Sequence, residues 1–382
     1  MTEILLELEK VQEYLNFLQK CMTKQGNRHA IAYINGLLFS FKTSIRKISQ
    51  NHLNYDHHSQ IQRVLNTLRL DIELLQRKYL SKIRYFLKGE ISLIFDDTLV
   101  ERNGKCVEYT QTHHDHSSNS YIIGHQFFTA MLCAENICFP LFPELFHKEL
   151  NSKMDLAENL IKDIGKKLPL TNIMFDSWYS KRAIIKTARK YATRVICGLK
   201  SNRTFSSEPK KWKKISAFAD ETKQTFMFVD ERKYYVQSLI GRVKSVKGKC
   251  LISRQQNEQN ISNQFYIFCS DKKLTEVQIL RLYHIRWNIE VYHRDVKQNM
   301  GFHPFVRKKE AIVRHAIFTT LAYTALKMHM HFHKLDLTIG ECITHIRESN
   351  FTNFIQEIVN IEDSKARQSA FEGVFIKKIA QV

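Results

Sequence analysis

The stretch YHIRWNIEVYHRDVK, residues 283–297, places a carboxylate among a phenol and two cations. At about 100° per residue of an α-helix, these four side chains share a face about 60° wide; they are Tyr283, Arg286, Glu290 and Lys297. A separate apolar stripe on the same helix consists of Ile285, Ile289, Tyr292 and Val296. A charged face of this kind is either a solvated flank with i,i+4 ion pairs or part of a functional site. The spacing alone leaves both interpretations open.

Two further predicted strands end in acids. ISLIFDD (91–97) ends in Asp96 and Asp97, and NIMFDSWY (172–179) reads as a buried strand that ends at Asp176. Sites in open α/β sheets are built at such strand ends. Three carboxylates that converge in a basic protein indicate a divalent metal, Mg²⁺ or Mn²⁺. A metal pair can activate water and stabilise the leaving oxygen of a phosphodiester.

The elements that must position these acids follow an α/β order. ISLIFDD, CVEYTQT and YIIGHQFFTAMLC are predicted strands, and SKMDLAENLIKDIGKKL is a predicted helix. After the strand that ends at Asp176 come the helix KRAIIKTARKYA and the strand RVICGLK. Strand-like alternation returns in KYYVQSLIGRV, GKCLISR and QFYIFCS, which indicates a β-rich insertion over 201–270. The helix 283–297 and the apolar helix AIVRHAIFTTLAYTALKMHM follow.

Composition points to a polyanionic partner. The 382 residues include 58 Lys and Arg against 38 Asp and Glu, a net charge of +20. Between Lys200 and Lys249 the local balance is 13 cations against 5 acids. Neither a run of apolar residues long enough to cross a membrane nor a signal-peptide pattern is present, so no membrane partner is expected. The eight cysteines lack CxxC spacing and are interpreted as reduced core thiols of a cytoplasmic protein.

The segment 283–297 matches Tyr-x2-Arg-x3-Glu-x6-Lys without a gap, and this resembles the DDE transposases of bacterial insertion sequences, of the type (insertion sequence four) defined by that signature. IFDDT (94–98) is similar to the family's first-aspartate strand and IMFDSWYS (173–180) to its second. The resemblance covers about 90–330 and is weak or absent outside it.

The resemblance implies an RNase H-like α/β core interrupted by a β-rich insertion, with an N-terminal helical domain and C-terminal helices. The expected domains are 1–88 (helical, a candidate for DNA binding), 89–200 (first part of the core), 201–270 (insertion), 271–330 (second part of the core) and 331–382 (helical tail). Asp96, Asp176 and Glu290 would be the catalytic residues and would hold Mg²⁺, with Mn²⁺ as a substitute.

The DNA contacts implied by the same resemblance involve Tyr283, Arg286 and Lys297, which would bind phosphates of the transposon end. Arg294 and Trp212 are added as DNA-binding candidates, and Phe265 and Tyr266 as alternative aromatic platforms for an unstacked base. The expected partners are double-stranded DNA, the terminal inverted repeats of the element, and a second copy of the chain in a synaptic homodimer. The expected location is the nucleoid of a bacterial cytoplasm.

Several positions keep an ordinary structural interpretation beside the functional one. Asp96 is preferred to Asp97, which could cap a turn, and Asp176 could be only a helix N-cap. Asp295 lies off the shared face and is expected at the solvent. HHDH (113–116) would suggest zinc but is more typical of an exposed loop, and Trp178 and Tyr179 are expected to pack the strand–helix junction.

Three functions compete on this sequence. The first is a transposase that cuts and transfers its own DNA element, either through a hairpin intermediate or without one. The second is a metal-dependent DNA nuclease on the same fold, and the third is an inactive DNA-binding relic of a transposase. The intact acids and signature residues favour the first.

Overall fold

The computed structural model describes residues 8–41, 43–50, 58–66, 69–102, 106–115, 119–135, 137–256, 261–303, 305–360, 362–365 and 368. The helices are α1 (Leu8–Tyr14), α2 (Lys24–Phe39), α3 (Ile45–Gln50), α4 (His58–Asn66), α5 (Ile72–Arg84), α6 (Lys153–Lys167), α7 (Arg182–Tyr191), α8 (Glu276–Ile285), α9 (Trp287–Asn299), α10 (Lys309–Phe332) and α11 (Ile339–Val359). Short 3-10 turns occupy Asn16–Lys20, Ser177–Tyr179, Ile215–Phe218 and Glu221–Lys223.

The strands are β1 (Ile91–Glu101), β2 (Gln111–Asp115), β3 (Ser120–Ala134), β4 (Ile137–Pro140), β5 (Glu144–Phe146), β6 (Leu170–Phe175), β7 (Ala192–Leu199), β8 (Thr204–Glu208), β9 (Lys211–Lys214), β10 (Thr225–Val229), β11 (Arg232–Val243), β12 (Val246–Gln256) and β13 (Phe265–Cys269). The described residues divide into two compact units. One comprises Asp71–Lys297 and Phe302–Thr320, and the other Met1–Leu70, Gln298–Gly301 and Leu321–Val382.

The larger unit is built on one mixed sheet in the order β2-β3-β1-β6-β7-β13-β12-β11-β8-β9. β10 pairs with β11, and β4 and β5 pair with β3. The neighbours β1, β6 and β7 are parallel, whereas β3 and β13 run antiparallel to β1 and β7. This confirms the predicted α/β class, and the structure shows that the sheet is large and mixed.

The parallel strands are continuous apolar runs because both of their faces are buried. β6 is buried at five of its six positions, and the Phe95 and Phe175 rings of β1 and β6 stack with centroids 5.2 Å apart. α6 begins where Ser152 accepts hydrogen bonds from the backbone of Met154 and Asp155, as an N-cap serine does. The crossover through α6 lets β6 return parallel to β1.

The smaller unit is helical and contains α1 to α4, the C-terminal part of α10, and α11. The buried face of α2 includes Ile34, Leu37 and Leu38. Arg347 of α11 donates to the carbonyls of Leu37 and Leu38 at the end of α2, where helix carbonyls lack intrahelical partners. None of the described helices in either unit combines the length and apolar character that a membrane span requires.

Two predicted segments differ from the structure around β2. CVEYTQT was predicted as a strand, but β2 begins only at Gln111, because Cys106 and Tyr109 adopt left-handed φ angles of 63° and 62° that interrupt extended pairing. HHDH was predicted as an exposed loop, yet His113 and His114 pair with β3 and His113 is buried. His116 lies outside the described residues.

The cysteine prediction also requires correction. Cys133 and Cys138 face each other across the β3–β4 pair and form a disulfide, so they are not reduced thiols. The two residues are only five apart in sequence, and the tight β3–β4 connection brings them together. Cys106 is an exposed free thiol, while the other five free cysteines are buried.

Candidate active site

Asp96 and Asp176 lie side by side because their strands are parallel and in register. Phe95 pairs with Phe175, so the following residues stand at the same level of adjoining strands. Phe175 also pairs with Cys197 of β7, which brings Gly198 to that level. The side chain of Asp176 makes no capping hydrogen bond to the turn Ser177–Tyr179, so the structure does not use it as an N-cap.

Gly198 is required by the close approach of its neighbours. A Cβ atom at this position would lie 2.8 Å from the Tyr283 hydroxyl, 3.0 Å from the Ser177 nitrogen and 3.3 Å from Asp176 Oδ1. The sequence interpretation did not single out this glycine. An isolated glycine inside the strand RVICGLK is nevertheless the usual signal of such an approach.

Gly198→Ala is therefore expected to displace Tyr283 or Asp176 and to lower the free energy of unfolding by about 1–3 kcal/mol. The matched control is Gly340→Ala, where the nearest atom to the added Cβ is 3.6 Å away. Urea unfolding of both variants checks this. Equal stability of the two variants would show that the Gly198 contact relaxes without cost.

Arg286 is inserted among the acids. Its Nη2 donates to Glu290 Oε1 at 2.7 Å, and its Nη1 lies 3.6 Å from Asp96 Oδ2. The guanidinium also lies 5.4 Å from the centre of the Tyr283 ring. Only 12% of the Arg286 side chain is exposed, and its buried Nε has no hydrogen-bond partner among the described residues.

The helix that carries these residues is divided where the sequence predicted a single one. α8 ends at Ile285 and α9 begins at Trp287, with Arg286 between them in the right-handed region at φ −55° and ψ −31°. Because the break keeps helical angles, Tyr283, Arg286 and Glu290 stay on one side. The predicted apolar stripe is buried at Ile289, Tyr292 and Val296.

The surroundings of Asp96 favour a cation beside its carboxylate. Burial, together with the neighbouring Asp97 and Asp176 charges, raises the pKa of Asp96 to about 7, while the Asp97 backbone N–H and Arg286 act in the opposite direction. Burial also raises the pKa of Tyr283 above its ordinary range, so the phenol stays protonated. A divalent cation would relieve the crowding of carboxylates around Asp96.

The donor set fits Mg²⁺ or Mn²⁺, which prefer carboxylate oxygen. In the part of the chain that the structure describes, however, no three His, Cys, Asp or Glu side chains are grouped to hold a metal ion. Arg286 contacts two of the three acids, Asp96 and Glu290. The residues therefore suit the metal chemically, with Arg286 present among them.

Asp97 does not cap a turn, contrary to the sequence interpretation. β1 continues to Glu101, so Asp97 is a strand residue, and it points away from Asp96. Its carboxylate accepts hydrogen bonds from Tyr179, Lys153 and Gln126. The preference for Asp96 as the site acid agrees with this division of the two side chains.

The other predicted DNA contacts lie farther along α9. Burial lowers the pKa of Lys297, and the nearby Asp115 opposes this effect. Arg294 is exposed and lies 3.5 Å from a carboxylate oxygen of Asp295. Asp295 is buried, so its predicted solvent position was wrong; the wheel excluded it from the site face but did not reveal what covers it.

Comparison with known proteins decides the family. A family model described as DDE superfamily endonuclease matches residues 17–215, more than half of the chain. The chain belongs to this superfamily of endonucleases. The matched span contains Asp96 and Asp176 and ends before Glu290.

Solved structures and curated proteins add little to this assignment. The endonuclease is similar to the piggyBac transposase in its synaptic complex with hairpin DNA, at 12% identity and a TM-score of 0.45, over 90% of this chain and 74% of that one. It is also similar to the P element transposase of Drosophila in a strand transfer complex, at 13% identity and a TM-score of 0.24, over 91% and 72% of the two chains. No curated protein matches the sequence.

Two tryptophans of the endonuclease are exposed near basic side chains. Trp212 on β9 is 46% exposed and lies between two open depressions. Their rims carry the cations Lys210, Arg242, Lys247, Lys272, Arg182 and Lys244. Trp178 is 38% exposed, with the Lys153 ammonium 4.9 Å from its ring centre, so it does not pack the junction as fully as predicted. Tyr179 is buried as predicted.

Behind the acids of the endonuclease lies a histidine that sequence reasoning missed. Thr129 donates to the carbonyl of Asp96 at 3.0 Å and lies 2.7 Å from His293 Nε2. Because Thr129 donates its hydroxyl proton to the Asp96 carbonyl, His293 must donate to the Thr129 oxygen through Nε2. This contact fixes the tautomer of the His293 ring. Burial lowers the pKa of His293 to about 3, so the ring is neutral at physiological pH.

This histidine predicts a loss of stability in acid. Its folded pKa of about 3 lies below the ordinary value of 6.5, so protonation favours the unfolded chain. The stabilisation is complete above pH 6.5 and decreases as the pH falls through the range between the two pKa values. Lowering the pH from 7 to 5 should therefore decrease the free energy of unfolding by about 2 kcal/mol. Urea unfolding at both pH values checks this, and His293→Gln should reduce the pH dependence by that amount; an unchanged dependence would contradict it.

Proposed function

We propose that this endonuclease is a DNA transposase of the insertion-sequence type that carries the Tyr-x2-Arg-x3-Glu-x6-Lys signature. The observation that carries the proposal is the register of β1 and β6, which sets Asp96 beside Asp176, with Arg286 in contact with both Asp96 and Glu290. In this proposal the three acids, which are 80 and 114 residues apart in sequence, serve one site.

The proposed core is RNase H-like. Three strands are parallel in the order β1, β6, β7, and β3 runs antiparallel on the other side of β1. The insertion is proposed as residues 201–270, which extend the same sheet through the β7–β13 pair. The proposed division keeps helical segments over 1–88 and 331–382 outside that core, with 89–200 and 271–330 as its two parts.

Asp96, Asp176 and Glu290 are proposed to hold Mg²⁺, for which Mn²⁺ can substitute. When bound, the metal supplies an activated water and neutralises charge on the leaving oxygen. Glu290 becomes available once Arg286 exchanges its carboxylate partner for a DNA phosphate, a ligand that a guanidinium binds in two-pronged fashion. Tyr283 stays protonated and so can donate to a phosphate oxygen.

Further along the DNA, Lys297 and Arg294 are proposed to contact the backbone. Trp212 is proposed to stack on an exposed base while the cations on its two sides bind phosphates. The stacking is sequence-tolerant, so specificity for the ends would reside elsewhere in the complex.

The proposed reaction has two transfers at phosphorus. Water attacks a phosphodiester at the element end and releases a 3′-hydroxyl. That hydroxyl then attacks a second phosphodiester, either of the opposite strand to give a hairpin or of the target to join the ends. The proposed partners are the terminal inverted repeats and a second copy of this chain in a synaptic homodimer. The proposed location is the nucleoid of the bacterial cytoplasm.

A supercoiled plasmid that carries the gene with its native flanks tests the function. Purified protein would be added with Mg²⁺ or with EDTA, and the DNA ends mapped at single-nucleotide resolution under denaturing conditions, with Glu290→Ala as control. Metal-dependent breaks at two inverted ends that disappear with the variant support the proposal. Scattered cuts indicate a nuclease on this fold, and binding without cuts indicates an inactive relic; either result contradicts transposition.

A further inference from the structure

The carboxylate of Asp97 joins three side chains from separate elements. Its Oδ1 accepts from the Tyr179 hydroxyl at 2.9 Å, and its Oδ2 accepts from Lys153 Nζ at 2.8 Å and from Gln126 Nε2. Gln126 belongs to β3, Lys153 begins α6, and Tyr179 belongs to the turn after β6. One acid of β1 thus joins β3, α6 and the turn after β6.

The contact with Tyr179 leads directly to Asp176. The backbone N–H of Tyr179 donates to the carbonyl of Asp176 at 3.1 Å, which closes the 3-10 turn. Asp176 has no capping hydrogen bond of its own to that turn. The register of β1 and β6 sets the level of the Asp176 main chain, and the Tyr179 hydroxyl with its acceptor on Asp97 ties the turn that follows Asp176 to β1.

Two of the three donors, Tyr179 and Lys153, are held in place by burial and packing. Burial raises the pKa of Tyr179 far above its ordinary value, with Asp97 and Asp96 adding to the effect, so the phenol keeps its proton. Tyr179 is fully buried and packs edge-on against Phe95 with ring centroids 5.2 Å apart. The Lys153 side chain is 14% exposed and lies over the rings of Phe146 and Trp178. Hydrogen bonds to a charged acceptor in such surroundings are the strong ones.

We propose that Asp97 is a positioning residue that acts through Tyr179 to fix the turn after Asp176, and with it the orientation of the Asp176 carboxylate beside Asp96, so that the two acids can serve one metal ion. The inference rests on the proposed metal-dependent function, since it assigns Asp97 a task in the same site. Asp97 itself contacts neither metal nor DNA in this proposal.

Tyr179→Phe tests the link because it removes one oxygen and keeps the buried ring. Mn²⁺ binding to the full-length protein is measured by electron paramagnetic resonance, which detects the free ion. The resulting affinity does not depend on turnover. The expected result is a dissociation constant about tenfold higher than that of the wild type, the size of one lost hydrogen bond to a charged group. Thermal unfolding is measured on the same samples.

The matched control is Tyr79→Phe, which removes another buried hydroxyl, one that donates to the carbonyl of Pro140. It should destabilise the protein similarly and leave the Mn²⁺ affinity unchanged, whereas a merely structural role of Tyr179 would make the two variants alike. Asp176→Asn separates the remaining outcomes. Weakened Mn²⁺ binding by Asp176→Asn with wild-type binding by Tyr179→Phe overturns the positioning role alone. Wild-type binding by both variants, or no Mn²⁺ binding by any of these proteins even with duplex DNA present, overturns the proposed metal function as well.

Discussion

Glu290→Gln is expected to reduce DNA cleavage by at least about a thousandfold, which corresponds to about 4 kcal/mol of transition-state stabilisation. The glutamine keeps the size of the side chain and can still accept a hydrogen bond from Arg286, which now lies 2.7 Å from the carboxylate. What the variant loses is the charge that a divalent cation needs. Rates of plasmid cleavage under single-turnover conditions measure the effect.

Binding of DNA should change little in the same variant. Affinity for DNA comes mostly from cations on phosphates, and Glu290→Gln removes none of the basic side chains. The matched control is Glu276→Gln on α8, an acid that pairs with Lys249 at 3.1 Å and for which the structure gives no contact with Asp96, Asp176 or Arg286. Cleavage should persist in this control. A loss of DNA binding by Glu290→Gln as large as its loss of cleavage would argue against a metal-ligand role.

Local patterns predicted the strands and their acids because burial of both faces leaves a visible signature. The apolar run ending at Asp176 became β6, and the runs around RVICGLK and GKCLISR became β7 and β12. The spacing in 283–297 also predicted correctly that Tyr283, Arg286 and Glu290 would lie together.

Contacts between elements distant in sequence could not be predicted in this way. Which side of β1 meets α6 decides that Asp97 binds Lys153 and Tyr179, and no periodicity within ISLIFDD contains that information. The same holds for the burial of Asp295 and for the contact between His293 of α9 and Thr129 of β3. A helical wheel divides a surface into faces but does not identify what each face will contact.

Arg286 combines features of both interpretations of its helix face, a solvated flank with ion pairs and part of a functional site. As an i,i+4 partner of Glu290 it resembles an ordinary surface ion pair, which contributes little. It is instead largely buried and lies between Glu290 and Asp96, so its removal leaves two carboxylates close together without their cation. Breaking a buried pair in this way costs about 3–5 kcal/mol.

Arg286→Ala is therefore expected to destabilise the protein in EDTA by about 3 kcal/mol or more and to recover much of that stability in millimolar Mg²⁺ or Mn²⁺. The recovery follows because a divalent cation can replace the missing guanidinium among the acids. Thermal unfolding of the wild type and the variant, with metal and with EDTA, measures the difference. The wild type should respond less to metal, since its own cation already neutralises Asp96 and Glu290.

Arg281→Ala provides the matched control on the preceding helix. Arg281 Nε lies 2.9 Å from Asp230 Oδ1, and both side chains are more than half exposed, so the loss of this pair should cost at most about 1 kcal/mol. Metal should not alter the stability of this control. If Arg286→Ala responds to metal no more than Arg281→Ala does, then Arg286 does not stand in for a cation among these acids, and the acids do not gain a metal ion when it leaves.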